Sequence, residues 1–508
     1  MDSSRKPLPD PADPQPFPKF LLALVAAIYL ALAAGGVLTN IPWCDEAWFA
    51  SPAMNLATEG YMGTSVLDPS ATWNVRYLTG IDRFTYWIMP LYPVVQAAWQ
   101  LVLGSSLFSV RFFSVLWGVA ALAGWYFLVR KLSGSPWAGF LTAAFLATDF
   151  QFLWGASDAR MDMMCAALGV GGLAAYVCLR EQNLKMAILA GNACIAASGL
   201  THPMGLGYLV ALVVLVVYFD HSRIRLKHLA LAAAPYLAGA AGWGWYIAQN
   251  PTLFMAQFGG NAGGRLVSGN LLDWLHRQLV VRYLYQYGWA PDTRGLSHIK
   301  VVALVVYGAG LGGAFFSRDI RRNPGGRALL LLWAALAVSI SLIDKQILDV
   351  YIIHLIMPLA AILALWMVWA FRTRTLPVWL LGLLVGALTA TQTAVLFSRY
   401  RSNPYARQYR PAVAFLKSHS TPGGVIMGSA ELAFQLGFHG DLVDDYRLGY
   451  RSGKKPSVVV LDKIHYQTFI PGLRQEDPPA YRYASSLLEH DFKLAYENPG
   501  YRIYLRAP

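Results

Sequence analysis

Ile41-Pro42-Trp43-Cys44-Asp45-Glu46-Ala47-Trp48-Phe49 follows directly on an apolar run from Phe20 to Leu38. A run of roughly 20 residues is long enough to cross a bilayer, so two adjacent carboxylates stand at a membrane surface among aromatic rings. A charge left in hydrocarbon costs a few kcal/mol or more, and an acidic pair in this place needs a reason. It is either a solvated loop whose Trp and Phe rings lie at the headgroups, or a reactive carboxylate in the first external loop. What separates the two is whether the other charged residues gather on the same side.

Composition limits the field. Of 508 residues, 56% are hydrophobic and only 14% charged, which marks a multi-span membrane protein. The formal net charge of +13 lies in short clusters between apolar runs, as the positive-inside rule requires, and forms no stripe that would hold a nucleic acid. Cys165, Cys178 and Cys194 sit inside apolar runs and no C-x-x-C occurs, so neither a disulfide framework nor a zinc site is expected. The first apolar run is too long for a signal-peptide core and reads as an uncleaved anchor.

Charge also sets the topology. Met1 to Lys19 is a Pro-rich, disordered cytoplasmic lead, and its basic residues send the first span outward, which makes Asp45 external. Tyr86 to Leu103 carries Pro90 and Pro93; laid in the interface, it leaves Phe108 to Val129 as the second span and Arg130 and Lys131 inside. Alternation then continues through Pro136–Leu153, Met163–Leu179, Met186–Leu200, Met204–Tyr218, Leu229–Ile247, Val301–Phe316, Leu329–Leu342, Tyr351–Ala370 and Leu376–Phe397. The expectation is an α-helical polytopic protein of about 11 spans, residues 20–397, with a first external loop at 40–107 and a long one at 249–298. Residues 398–508 change in composition and predict a small external α/β domain, with a helix at Pro411–His419, strands at Val425–Met427 and Ser457–Leu461, and a hairpin across Pro499-Gly500.

With sides assigned, the external charges are Asp45 and Glu46; Arg76, Asp82 and Arg83; Asp158, Arg160 and Asp162; His202; Arg265, Asp273, His276, Arg277 and Arg282; Asp344 and Lys345; Arg399 and Arg401. Carboxylates and cations at one membrane face suit a transfer in which a base takes a proton from an acceptor hydroxyl while cations hold a phosphate leaving group. Simpler readings stand beside this one. Asp162 opens a helix, where an acid also serves the dipole. His202 precedes Pro203 in a turn, Arg83 is placed to snorkel, and Lys345 is placed to pair with Asp344. Gly259 to Gly264 reads as a flexible loop, and no Walker motif is present, so energy must arrive with the substrate. A divalent cation near the acids is left open, since no ligand set stands out.

The Asp45-Glu46 pair after the first span, Ala159-Arg160-Met161-Asp162 opening a later one, the Gly199 to Gly205 turn and the external C-terminal domain together resemble the GT-C glycosyltransferases. The similarity runs from about Asp45 to Leu365 and is closest to the branch of protein O-mannosyltransferases and lipid A aminoarabinose transferases. It implies an inner-membrane enzyme that moves a sugar, with inversion, from a polyprenyl-phosphate donor to a lipid, glycan or protein acceptor at the external face. It implies Asp45 as the catalytic carboxylate, supported by Glu46, with Asp162 as the second acid. Arg83 and His202 fall where that family holds the donor phosphate. This chain lacks the family's Lys-Pro-Pro pattern, and its turn reads Thr201-His202-Pro203-Met204-Gly205 without a lysine, so either the donor is held differently or Lys345 and Arg401 compensate as further phosphate-binding cations. Asp158, Arg160 and Tyr86 are the candidate substrate contacts. A polytopic transporter or flippase of a lipid-linked or anionic substrate is the alternative, and a non-catalytic scaffold a third reading; against transport, the ionisable residues fall in loops and span ends and not at mid-depth.

Overall fold

A computed structural model describes residues 17–69, 78–264, 270–291 and 293–507. Arg76, Arg265 and most of the N-terminal lead lie outside the described residues. Among those described, nine helices are long and apolar enough to cross a membrane. The first, Phe20–Thr39, buries Val25, Tyr29, Ala33 and Val37, a stripe at i, i+4 spacing, and leaves Phe20, Leu24 and Ile28 outward. The Ile353–Thr373 helix is apolar all round and buried on nearly every side, which makes it the axis of the bundle. Met161–Leu179 packs against both Leu107–Ser133 and Leu184–Thr201. Its Gly172 lies so close to the neighbouring helix that an added Cβ would stand 2.7 Å from the Gly191 carbonyl oxygen, the small-residue contact by which membrane helices approach.

Two of the expected crossings are not among the nine. Pro136 to Leu153, expected as one span, breaks into Pro136–Thr148 and Phe150–Ser157 at Asp149. The Asp149 carboxylate accepts the Gln151 and Phe152 N–H groups at 2.9 Å, the Tyr307 hydroxyl at 2.8 Å and the Gln392 amide at 2.7 Å. A buried acid thus caps a helix begun in the bundle interior. Leu226–Ala248 is a 23-residue helix with Leu229, Leu237 and Trp245 exposed along it. Leu91–Leu103, at 13 residues, is too short to cross; it buries Tyr92, Gln96 and Gln100 and exposes Leu101 and Val102.

Polar contacts sort the connections to two ends. At one, Lys131 pairs with Glu181, Asp220 with Arg180 and Arg223, and Arg372 reaches Ser135. At the other, the stretch expected as a loop over 249–298 is largely helical, as Pro251–Phe254, Met255–Gly259 and Gly260–Gly264, then Leu271–His276 and Arg277–Trp289. The glycine run expected to be a flexible loop is therefore helical over its described backbone, held by Gln257 and Asn261, whose amides donate to the Thr79, Phe84 and Trp87 carbonyls.

Residues beyond the last long helix, Val378–Ser402, build a sheet from β1 Ile426–Met427, β2 Leu442–Val443, β3 Val458–Asp462, β4 Phe492–Glu497 and β5 Tyr501–Arg506. Its five strands lie in the order β2-β1-β3-β5-β4. β3 is buried throughout, as its unbroken run of branched residues requires. β1 lies parallel to β2 and β3, while β5 is antiparallel to β3 and β4. The Asn498 side chain closes the β4–β5 turn by accepting the Gly500 and Tyr501 N–H groups. This sheet grips the segment after the first span: Leu67 bridges Asp444, the Trp48 indole donates to Asp444 at 2.9 Å, and Lys454 pairs with Asp68 at 2.6 Å.

Candidate active site

The Asp45 stretch becomes the start of a helix, Cys44–Thr58, with Asp45 and Glu46 in its first turn, where acids face the unpaired N–H groups and the positive end of the dipole. The two side chains then part. Glu46 is fully buried and takes a bidentate ion pair from Arg111, at 2.7 and 2.8 Å. Arg111 also donates to the Val37, Asn40 and Ile41 carbonyls, at the end of the first span. Glu46 is therefore a structural anchor for the turn, and Arg111 its partner from inside an apolar helix. Sequence reading passed over Arg111; the one signal was a lone charge early in the Phe108 to Val129 run.

Asp45 keeps part of its surface and pairs with Arg160, whose guanidinium also donates to Asp162 at 2.9 Å. One cation bridging two acids offsets the charge they bring side by side. The Arg160 guanidinium lies 5.1 Å from the Trp43 ring centre and 5.3 Å from that of Phe49, so aromatic faces hold it in place. Asp162, at the first turn of Met161–Leu179, is 2% exposed.

Asp45 and Arg160 line a cavity of about 300 Å³, whose lining also includes His202, Lys345, Asn261 and Tyr351. His202 ends the Leu184–Thr201 helix and accepts the Met204 N–H on Nδ1, so a neutral ring carries its proton on Nε2 and acts as a donor. Its ring lies 5.0 Å from that of Tyr351. Lys345 sits on a turn built by its neighbour. Asp344 accepts the Ile347 and Leu348 N–H groups and pairs with Arg282 at 3.0 Å, which leaves Lys345 without an ion-pair partner among the described residues. Ile347 holds φ 61°, a strained value for a β-branched residue that the surrounding bonds enforce.

The remaining candidates lie elsewhere. Asp158 lines a separate void of about 10 Å³ behind Arg160, and burial, then the charge of Glu46, raises its carboxyl above the usual range. Tyr86 is buried, with its hydroxyl donating to the Tyr246 carbonyl and its N–H to Gln257. Arg83 lines a different cavity, of about 510 Å³, beside Trp243 and Gln249. Arg401 is exposed near the end of Val378–Ser402 and reaches none of these spaces. Between the Asp45 cavity and that of Arg83 lies an apolar one of about 370 Å³, which shares Met89, Pro203 and Phe258 with the first. It shares Leu200 and Trp243 with the second. A polar head thus continues into an apolar groove along the Leu184–Thr201 and Leu226–Ala248 helices. Among the described residues no three His, Cys, Asp or Glu side chains are arranged to hold a metal ion, and Asp45 and Asp162 already share Arg160.

No protein-family model and no curated sequence matches this chain. Solved structures do. ArnT from Cupriavidus metallidurans bound to undecaprenyl phosphate matches with a TM-score of 0.60 at 15% identity, over 96% of this chain and 99% of that one. The archaeal oligosaccharyltransferase AglB from Archaeoglobus fulgidus, in complex with an inhibitory peptide and a dolichol-phosphate, matches with a TM-score of 0.55 at 13% identity, over 96% of this chain and 74% of that one. The arabinofuranosyltransferase AftD from Mycobacteria matches with a TM-score of 0.51 at 15% identity, over 97% of this chain but 40% of the other. The chain is a multi-pass membrane protein with a small C-terminal sheet domain, and its fold is the GT-C fold that the motifs around Asp45 and Asp162 resemble.

Proposed function

We propose that this protein is a glycosyltransferase that takes a sugar from a polyprenyl-phosphate donor and passes it, with inversion, to an acceptor at the external membrane face. Asp45 is the base. It removes the proton from the acceptor hydroxyl as that oxygen attacks the anomeric carbon; the bond from carbon to phosphate oxygen breaks, and the phosphate leaves with its electron pair. Lys345, from the same lining, supplies charge where it develops on that phosphate, with His202 beside it as a polar lining group. Arg160 and Asp162 fix Asp45, and Glu46 with Arg111 fixes the turn that carries it. The observation that carries this reading is one cavity lined by Asp45, Lys345 and His202 together, with an apolar groove adjoining it. A phosphate with a long hydrocarbon tail fits that order of polar and apolar surface. The named lipids on ArnT and AglB are of this class.

The test is mass spectrometry of polyprenyl-phosphate-linked sugars incubated with purified protein and membrane extract as acceptor. Wild type should strip the carrier of its sugar, while Asp45→Asn, folded to the same extent, should not. Equal loss with both proteins would remove Asp45 from the mechanism. An intact carrier with both would turn attention to transport.

A further inference from the structure

Where the C-terminal domain meets the first loop there is a further cavity, of about 120 Å³, which the proposed reaction does not use. Ile41, Pro42, Trp43 and Cys44 form one side, and Gln408, Glu431, Asp462 and Tyr501 line the other. Glu431 is 2% exposed; its Oε1 accepts the Tyr501 hydroxyl at 3.3 Å, and its Oε2 has no hydrogen-bond partner. An orphaned carboxyl oxygen carries a desolvation penalty, so an occupant able to bond it once the side chain turns toward the cavity would be favoured.

The lining says which occupant. Burial, and then the nearby Asp462, pushes the Glu431 carboxyl well above the usual carboxylate range, so the group can both donate and accept. Asp462 caps the following helix through the His465 and Tyr466 N–H groups, yet keeps lone pairs for a ligand. Lys463 at the rim opposes a cation, and Asp462 opposes an anion. Neutral hydroxyls satisfy all of these groups. Trp43 and Tyr501 add aromatic walls of the kind that pack against a sugar ring, and the space suits one such ring or a few waters, at roughly 30 Å³ per water.

We propose that this cavity is a subsite for a hydroxyl-rich saccharide unit, held between the C-terminal domain and the loop that carries Asp45. Trp43 is the shared element, for it lines this cavity while its ring lies under the Arg160 guanidinium that pairs with Asp45. Calling the saccharide part of the acceptor rests on the transfer reaction proposed above; the binding itself does not.

The experiment is saturation-transfer NMR on the full chain in nanodiscs, with methyl mannopyranoside, glucopyranoside and galactopyranoside as probes and methylammonium as the cationic comparison. At least one glycoside should bind wild type, Glu431→Leu should weaken it at least tenfold, and Gln408→Ala, at a half-buried rim position, should weaken it several-fold with the fold intact. No glycoside binding, binding unchanged in both variants, or preference for methylammonium would each overturn the subsite. Cleavage of the lipid-linked donor is followed in the same samples. Glycoside binding that depends on Glu431 without any cleavage would sink the transfer reaction and leave the subsite standing, whereas cleavage without such binding would do the reverse.

Discussion

Replacing Arg111 by Met tests whether the turn that carries Asp45 is held from inside the membrane domain. Arg111 and Glu46 have side chains 0% and 1% exposed, and removing the cation leaves Glu46 as an uncompensated buried charge, a loss of about 3–5 kcal/mol. The Val37, Asn40 and Ile41 carbonyls lose their donor as well, at roughly 1 kcal/mol each. Arg111→Met should therefore melt several degrees below wild type in detergent, followed by fluorescence-detected size exclusion, and should cleave a lipid-linked sugar far more slowly, since a displacement of about 1 Å at a reacting group is worth up to ~100-fold. The diagnostic step is the double variant Arg111→Met/Glu46→Leu. A buried ion pair replaced by apolar residues of similar size is often close to neutral, so the double variant should be more stable than Arg111→Met alone despite carrying the additional change. Activity should stay low, because nothing then ties the end of the first span to the turn. An Arg111→Met variant with wild-type melting, or a double variant worse by the sum of the single losses, would refute this account.

Lys345→Met should weaken inhibition by free polyprenyl phosphate by about 10- to 100-fold, as expected for losing one charge-assisted contact of 1.5–3 kcal/mol; Arg401→Ala should leave it unchanged, and equal effects of the two would count against Lys345 at the phosphate. Stability of the C-terminal domain should fall as pH rises from about 4 to 7, because burial raises Asp444 to about 7 and Asp445 to about 6, so the folded state holds protons that the unfolded chain has released. Melting at pH 5 should therefore exceed melting at pH 8, and Asp444→Asn should flatten that slope; a slope of opposite sign would refute the assignment. Cys44, 3% exposed and with its thiol raised by burial and then by Glu431, should resist a water-soluble maleimide until the domain is unfolded. Rapid labelling of the native protein would mean that the domain does not rest on the loop as described.

What the sequence revealed and what it hid follow one physical line. Apolar length and the placement of Arg and Lys are local properties, so the polytopic helical architecture could be read directly, and so could β3 and the Pro499-Gly500 hairpin of the C-terminal sheet. Partnership is not local. Arg111 and Asp149 each look like a single charge inside an apolar run, and only the fold shows that the first holds Glu46 while the second breaks a helix with the help of Tyr307 and Gln392. Lys345 reads as a partner for its neighbour Asp344 until Arg282, more than sixty positions earlier, takes that role. Gly259 to Gly264 has the composition of a loop, yet its described backbone is helical, because Gln257 and Asn261 tie the segment to carbonyls near residue 85. Arg83 and Asp45 fall in the same stretch of chain but face different cavities.

The same contacts explain how the carboxylate proposed as the base can sit at the start of a short helix outside the long spans and still be held to the precision that the proposed transfer needs. Glu46, next to Asp45, is fixed from below by Arg111 at a sequence separation of 65, and Asp45 itself from the side by Arg160 at 115. Trp48, one turn on, is fixed from above by Asp444 at 396. Three anchors on three separate elements surround one turn of helix; the first two are ion pairs, the strongest kind available to a side chain, and the third is a hydrogen bond to a buried carboxyl group. A loop held this way does not need the helix propensity of its own sequence, which is fortunate for a stretch that begins Pro42-Trp43-Cys44. The third anchor has a consequence for the reaction. Since the C-terminal domain supplies it, detaching that domain should release Trp48 and loosen Asp45 even though no residue of the domain lines the Asp45 cavity. Trp48→Phe, which keeps the ring and deletes only the indole donor, isolates that effect: transfer should slow while donor binding holds, and a variant as fast as wild type would show that the two lower anchors suffice.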